Sequence, residues 1–169
     1  MIAALTGFMA SGKTTFGRAA AGRIGWEFID LDERISTRYG TPAEIFAAHG
    51  EARFREIETR QLDEVLGTGR DTVLALGGGT LLQPGNLPRI KASATVIWLD
   101  TDFDIILSEL GGTDRPLVRG KSIEQIRTLY DTRRPCYAEA ADIRFPIGHR
   151  DYEQVIESLA ATIRDLRHG

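Results

Sequence analysis

The sequence predicts an α/β fold: a parallel sheet of five strands with helices on both faces, three layers in all. Three observations predict it. Short apolar runs alternate with amphipathic stretches along the whole chain. A glycine-rich turn ending in Gly12-Lys13-Thr14 follows the first run and precedes a helix-forming stretch. The 169 residues hold no internal repeat and no Pro/Gly/Ser linker, so they form one domain, 1–169.

The strands come first. Met1–Thr6, Glu27–Ile29, Thr72–Leu76, Thr95–Leu99 and Asp142–Phe145 are apolar runs too short for helices. Each is bounded by Gly, Pro or Asp, as buried parallel strands are. About eight helices are expected between and around them. One runs from Thr14 to Ile24. Thr41-Pro42-Ala43-Glu44 is a capping box with proline at the first helical position. Glu51–Leu66 follows, with Phe54, Ile57, Leu62 and Val65 inward. Ser122-Ile123-Glu124-Gln125 is a second capping box. Asp151, followed by Gln154, opens a last helix with Val155, Ile156, Leu159, Ile163 and Leu166 in one stripe.

Composition excludes several classes. Lys and Arg total 21 against 24 Asp and Glu, a net charge of −3 that argues against nucleic-acid or anionic-membrane binding. Cys136 is the single cysteine, so neither an intrachain disulfide nor a Cys-rich zinc site is expected; it reads as a small buried hydrophobe. His49, His149 and His168 show no metal-ligand spacing. No apolar run approaches the ~20 residues of a membrane span. The first residues lack the basic region of a signal peptide. A soluble cytoplasmic protein is the expectation.

In a fold of this kind ligands sit at the carboxyl ends of the strands. After the first strand stands Gly7-Phe8-Met9-Ala10-Ser11-Gly12-Lys13-Thr14, a G-x-x-x-x-G-K-T phosphate loop between strand and helix. Its N–H groups and the helix N-terminus favour anions. Ala10, Ser11, Gly12, Lys13, Thr14 and Thr15 are therefore candidates to hold ATP, with Lys13 on the β- and γ-phosphates and the Thr14 hydroxyl on Mg²⁺. Guanine-specific switches carry N-K-x-D; here Asn86 is the single asparagine and leucine follows it, which favours a small kinase.

The second strand ends Asp30-Leu31-Asp32. Two acids one residue apart leave an extended strand tip on the same side. One could help hold Mg²⁺ and the other accept a proton from an attacking hydroxyl, although helix capping accounts for one of them. Asp100 is the look-alike after the fourth strand; with Thr101 as a plausible cap there, its reading is structural. The third strand runs into Gly77-Gly78-Gly79, which allows close approach of backbone to a ligand, or a hinge.

Three arginines invite an anionic acceptor. Arg55 has Glu58 three residues on, the spacing of a surface ion pair. Arg115 sits in a glycine-containing stretch, about 111–122, that reads as a lid. Arg133 precedes Pro135, where the helix is expected to be interrupted. Solvation explains any one of these arginines as well as function does.

Taken in order, Gly7–Thr14, Asp30-x-Asp32, Phe54-Arg55-x-x-Glu58, Gly77–Gly79, Arg115-Pro116-Leu117 and Arg133-x-Pro135-x-Tyr137 resemble the shikimate kinase family over Met1 to about Phe145. The resemblance implies a P-loop kinase fold with strand order 2-3-1-4-5, resembling nucleoside monophosphate kinases. It implies Mg²⁺-dependent transfer of the γ-phosphoryl of ATP to the 3-hydroxyl of shikimate, on the route to chorismate and aromatic amino acids, by a cytoplasmic monomer. Alternatives are another hydroxyl kinase on this fold, such as a gluconate kinase, or a non-catalytic nucleotide-binding module.

By position, Asp30 matches the Mg²⁺-linked acid and Asp32 the catalytic acid at the acceptor hydroxyls. Arg55 and Arg133 match the pair on the acceptor carboxylate, and Gly77, Gly78 and Gly79 border the acceptor pocket, whose region is about 31–60. Arg115, with Lys13, matches a catalytic cation on the phosphates. There are departures. Ala10 stands where the family commonly has glycine, and Leu107-Ser108-Glu109-Leu110 lacks the cation that often lies on adenine. Arg150 is the candidate to supply that contact.

Overall fold

A computed structural model describes residues 1–111 and 120–167. Five strands, β1 (Ile2–Thr6), β2 (Glu27–Asp30), β3 (Thr72–Ala75), β4 (Thr95–Asp100) and β5 (Ile143–Pro146), form one sheet in the order β2-β3-β1-β4-β5. Every pairing is parallel. The helices are α1 (Lys13–Ile24), α2 (Leu31–Tyr39), α3 (Pro42–Leu66), α4 (Asn86–Ser93), α5 (Phe103–Leu110), α6 (Ile123–Ala140) and α7 (Tyr152–Asp165). With one short 3-10 turn, Thr80–Leu82, these seven helices answer the eight expected, among the described residues.

Central β1 is buried along its whole length, and alternate residues feed opposite layers. Ala4, with Leu74 and Val96 beside it, faces a core completed by Leu31, Ile35, Phe54, Leu62 and Ile90 from α2, α3 and α4. Ala3 and Leu5, with Val73 and Ile97, face a second core under α1 and α7 that includes Ala20, Val155, Leu159 and Ile163. A third cluster packs Phe8 and Met9 against Trp98, Ile106, Tyr130 and Tyr137 from β4, α5 and α6. It seats the loop after β1.

Local chemistry sets the helix starts. Both capping boxes form, Thr41 with Glu44 and Ser122 with Gln125. Asp151 caps α7 by accepting from the Gln154 N–H. α3 bends at Gly50, whose φ of 80° lies outside the helical region.

Four expectations are corrected. The chain is not extended through Asp32: Asp30 accepts the Glu33 N–H at 3.1 Å, so α2 begins at Leu31 and Asp32 sits in its first turn. Pro135 does not interrupt α6, which continues to Ala140. The buried Ile126, Tyr130, Tyr137 and Ala140 anchor it on both sides of the lost hydrogen bond. Cys136, next to that proline, is exposed. Thr101 caps nothing; Asp102 holds the cap position of α5, and the Thr101 hydroxyl turns to the Ser11 carbonyl instead.

Candidate active site

The loop from β1 to α1 is built to present N–H groups. Gly12 has φ 87° and is the N-cap of α1, with no side chain closing that helix end. A β-carbon there would stand 2.3 Å from the Phe16 ring, so glycine is required twice over. Ala10 also lies at positive φ, 59°, the region glycine occupies freely. The Lys13 ammonium donates to the carbonyls of Gly7 at 2.9 Å and Phe8 at 2.8 Å, which folds it over the loop.

Asp30 bridges loop and strand. One carboxylate oxygen caps α2, and the other accepts the Thr14 hydroxyl at 2.5 Å. Two hard oxygen groups thus meet at the foot of the loop, the donor type Mg²⁺ prefers.

Asp32 is exposed to the open cleft it lines, yet protein encloses its carboxylate on the other sides. Its pKa is pushed up to about 6, first by that burial, then by the negative charges of Asp30 and Glu58, with Lys13 and Arg55 pulling the other way. A carboxyl poised there is ionised at neutral pH and is a better proton acceptor than an ordinary aspartate.

The three glycines after β3 lie under three charged side chains. A β-carbon on Gly77 would stand 2.6 Å from Asp32 Oδ1, one on Gly78 would stand 3.6 Å from Arg133 Nη1, and one on Gly79 would stand 3.2 Å from Arg55 Nη1. The Gly78 carbonyl accepts from the Tyr137 hydroxyl at 3.1 Å and from Arg133 at 3.4 Å. The glycines bring backbone close to side chains that face the cleft.

Arg55 is held rather than solvated. Glu58 is 1% exposed and accepts from Arg55 Nη1 at 2.9 Å and from the Thr80 hydroxyl at 2.7 Å. The pair looks like a surface ion pair in sequence because its third member, Thr80, comes from another element.

These groups line one cleft of about 700 Å³. It gathers Ala10, Ser11, Gly12, Lys13, Thr14, Thr15, Asp30, Asp32, Arg55, Gly77, Gly78, Gly79 and Arg133. Phe46, Phe54 and Glu109 line it too, and sequence reading gave no role to any of them there. Arg150 is not among the lining residues; its guanidinium lies over the Phe145 ring and donates to the carbonyls of Ile147 and Pro146. Arg115, and most of the expected lid, lie outside the described residues. Asp100 keeps a structural part, buried and paired with Arg134 at 3.0 Å and Arg144 at 2.6 Å. His149, for which the sequence spacing showed no ligand partners, stands in an exposed group with Asp102 and Asp104.

A cleft lined by a phosphate loop, two arginines and an aspartate of raised pKa that feels the charges of both Lys13 and Arg55 suits phosphoryl transfer to an anionic alcohol. Comparison with known proteins agrees. The shikimate kinase family model matches residues 9–164. A shikimate kinase of Persephonella marina is 35% identical over 162 residues, covering 95% of this chain and 97% of the relative. The crystal structure of shikimate kinase from Bacteroides thetaiotaomicron superposes with a TM-score of 0.86 at 30% identity, covering 100% of this chain and 99% of that one. The Acinetobacter baumannii shikimate kinase in complex with shikimate gives 0.83 at 32% identity, covering 98% and 91%.

Proposed function

The chain belongs to the shikimate kinase family, and from that premise we propose how its own residues carry the transfer of the γ-phosphoryl of ATP to the 3-hydroxyl of shikimate. The loop N–H groups and Lys13 bind the β- and γ-phosphates. Arg55, fixed by Glu58, and Arg133 receive the shikimate carboxylate; planar forks suit that group better than a lysine does. Asp32 accepts the proton of the 3-hydroxyl as its oxygen bonds to phosphorus and the bond to ADP breaks. Arg115 reaches the phosphates on closure of the lid; Arg150 would serve the adenine side only by leaving the Phe145 ring and the carbonyls of Ile147 and Pro146, which it holds in this structure.

Thr14 and Asp30 would hold Mg²⁺, and their hard oxygens suit it. When bound, the ion neutralises charge on the phosphates. Asp30 also holds α2 in place through its cap, which keeps Asp32 at the cleft wall. The protein is read as a cytoplasmic monomer that binds neither nucleic acid nor membrane. Its net charge of −3 argues against nucleic acid and anionic membrane as partners, and no helix among the described residues is long and apolar enough to cross a membrane.

The observation that carries the assignment is that Asp32, Arg55 and Arg133 share one cleft with the phosphate loop. A coupled ADP-release assay with and without shikimate tests it. Turnover is expected with shikimate and Mg²⁺, and not with shikimate whose carboxylate is esterified or whose 3-hydroxyl is removed. Equal turnover with gluconate, or ADP release independent of any acceptor, would overturn the site assignment.

A further inference from the structure

We propose that Thr101 is a positioning residue for the nucleotide, holding the phosphate loop in shape through the Ser11 carbonyl, with Tyr130 fixing Thr101 in turn. N–H groups of such a loop converge on an anion only when its carbonyls point away from it. A carbonyl turned into the protein then needs a donor. Ser11 is 1% exposed and Thr101 4%, and the Thr101 hydroxyl donates to the Ser11 carbonyl at 3.1 Å. The two meet because β1 and β4 pair as far as Thr6 and Trp98, which brings the strand ends side by side.

Thr101 is itself tied down. Its carbonyl accepts the Tyr130 hydroxyl at 2.8 Å. The Tyr130 ring meets Phe8 of the loop edge-on at 5.4 Å and lies 5.2 Å from Phe103. Arg134 links Tyr130 to Asp100, at 3.3 and 3.0 Å. The loop is thus gripped at Phe8 and at Ser11. It needs gripping, because Ser11 stands between Ala10 and Gly12, both at positive φ, and an alanine adopts that conformation reluctantly.

The proposal rests on reading Gly7–Thr14 as the phosphate cradle. Its test is equilibrium ATP binding together with steady-state kinetics for Thr101→Val, Thr101→Ser, Tyr130→Phe and Lys13→Met. Thr101→Val keeps the shape and removes the hydroxyl. It is expected to weaken ATP binding and raise the KM for ATP about tenfold, the worth of one hydrogen bond, with kcat and the KM for shikimate within about twofold. Thr101→Ser is expected to restore ATP affinity, and Tyr130→Phe to shift it the same way by less. Unchanged ATP affinity in Thr101→Val, a parallel fall in both affinities, or failure of serine to restore the first overturns the proposal. Should Thr101→Val not fold, Tyr130→Phe decides, and unchanged ATP affinity there counts against it. Lys13→Met separates the two readings. If it loses ATP binding, the cradle stands whatever Thr101 does; if it does not, the cradle reading fails and the Thr101 proposal with it.

Discussion

Gly77 lies directly against the carboxylate of Asp32: a β-carbon on it would stand 2.6 Å from Oδ1 and 3.0 Å from the Thr80 hydroxyl. The first of these distances is shorter than real contacts allow, so either the carboxylate or the backbone must shift. Gly78 differs, since its β-carbon would meet only Arg133 Nη1, at an ordinary 3.6 Å. Gly77→Ala is therefore expected to lower kcat about 10²-fold, the usual cost of displacing a reacting group by ~1 Å. Gly78→Ala is expected to stay within about threefold of wild type, since no atom need move. Steady-state kinetics of the two variants check this, and equal effects would mean that the glycines matter as a hinge, not for clearance.

Asp32→Asn is expected to lower kcat by about 10²–10⁴, the range for a general base, with the fold retained. The same substitution has a stability signature. The folded carboxyl titrates at about 6 against 3.8 for the free group. The folded state therefore holds the proton more tightly, and wild-type stability falls as pH rises from about 4 to about 6, then levels off. The full shift would be worth about 3 kcal/mol, but water in the cleft screens the charge, so about 1 kcal/mol is expected. Asn carries no charge to bury, so the variant is expected to melt with wild type at pH 4 and above it at pH 8. Thermal unfolding at both values reads this out, and the opposite order would place Asp32 in a stabilising ion pair.

Much of this was legible because the deciding signals are local. The capping boxes at Thr41 and Ser122 depend on residues three apart, and the phosphate loop is contiguous. What escaped depends on contacts between distant segments. Glu58 is a buried anchor only because Thr80, 22 positions on, donates to it. The hydroxyl of Thr101 reads as a cap until Ser11, 90 positions back, claims it. In sequence Asp32 reads as part of an extended strand tip, because either Asp30 or Asp32 could cap the next helix and nothing local says which.

Arg115→Ala is expected to lower turnover more than it weakens shikimate binding, a prediction from sequence alone, as the residue lies outside those described. An arginine that meets the phosphates only on closure acts mainly in the transition state. Equilibrium binding of shikimate without nucleotide should barely change. A large loss there would move Arg115 into the acceptor pocket.

Arg55→Lys is expected to damage the enzyme nearly as much as Arg55→Ala, and only toward the acceptor. Glu58, itself locked by Thr80, takes Nη1 at 2.9 Å and so fixes the plane of the guanidinium. A fork held this way offers a carboxylate parallel hydrogen bonds, whereas a lysine keeps the charge and loses the geometry. In a lysine variant Glu58 would also hold a more flexible partner, which could fold back onto it and leave the pocket. A hydrogen bond to a charged group is worth ~1.5–3 kcal/mol, so loss of one predicts a roughly tenfold to hundredfold rise in the KM for shikimate. The KM for ATP should stay within about threefold, because Arg55 is assigned to the acceptor carboxylate and not to the phosphates. Titrations of both substrates against both variants measure it. If lysine restores shikimate affinity in full, the site needs only a positive charge at position 55. If ATP affinity falls in parallel, the Arg55–Glu58 pair serves the fold, as its helical spacing alone would suggest.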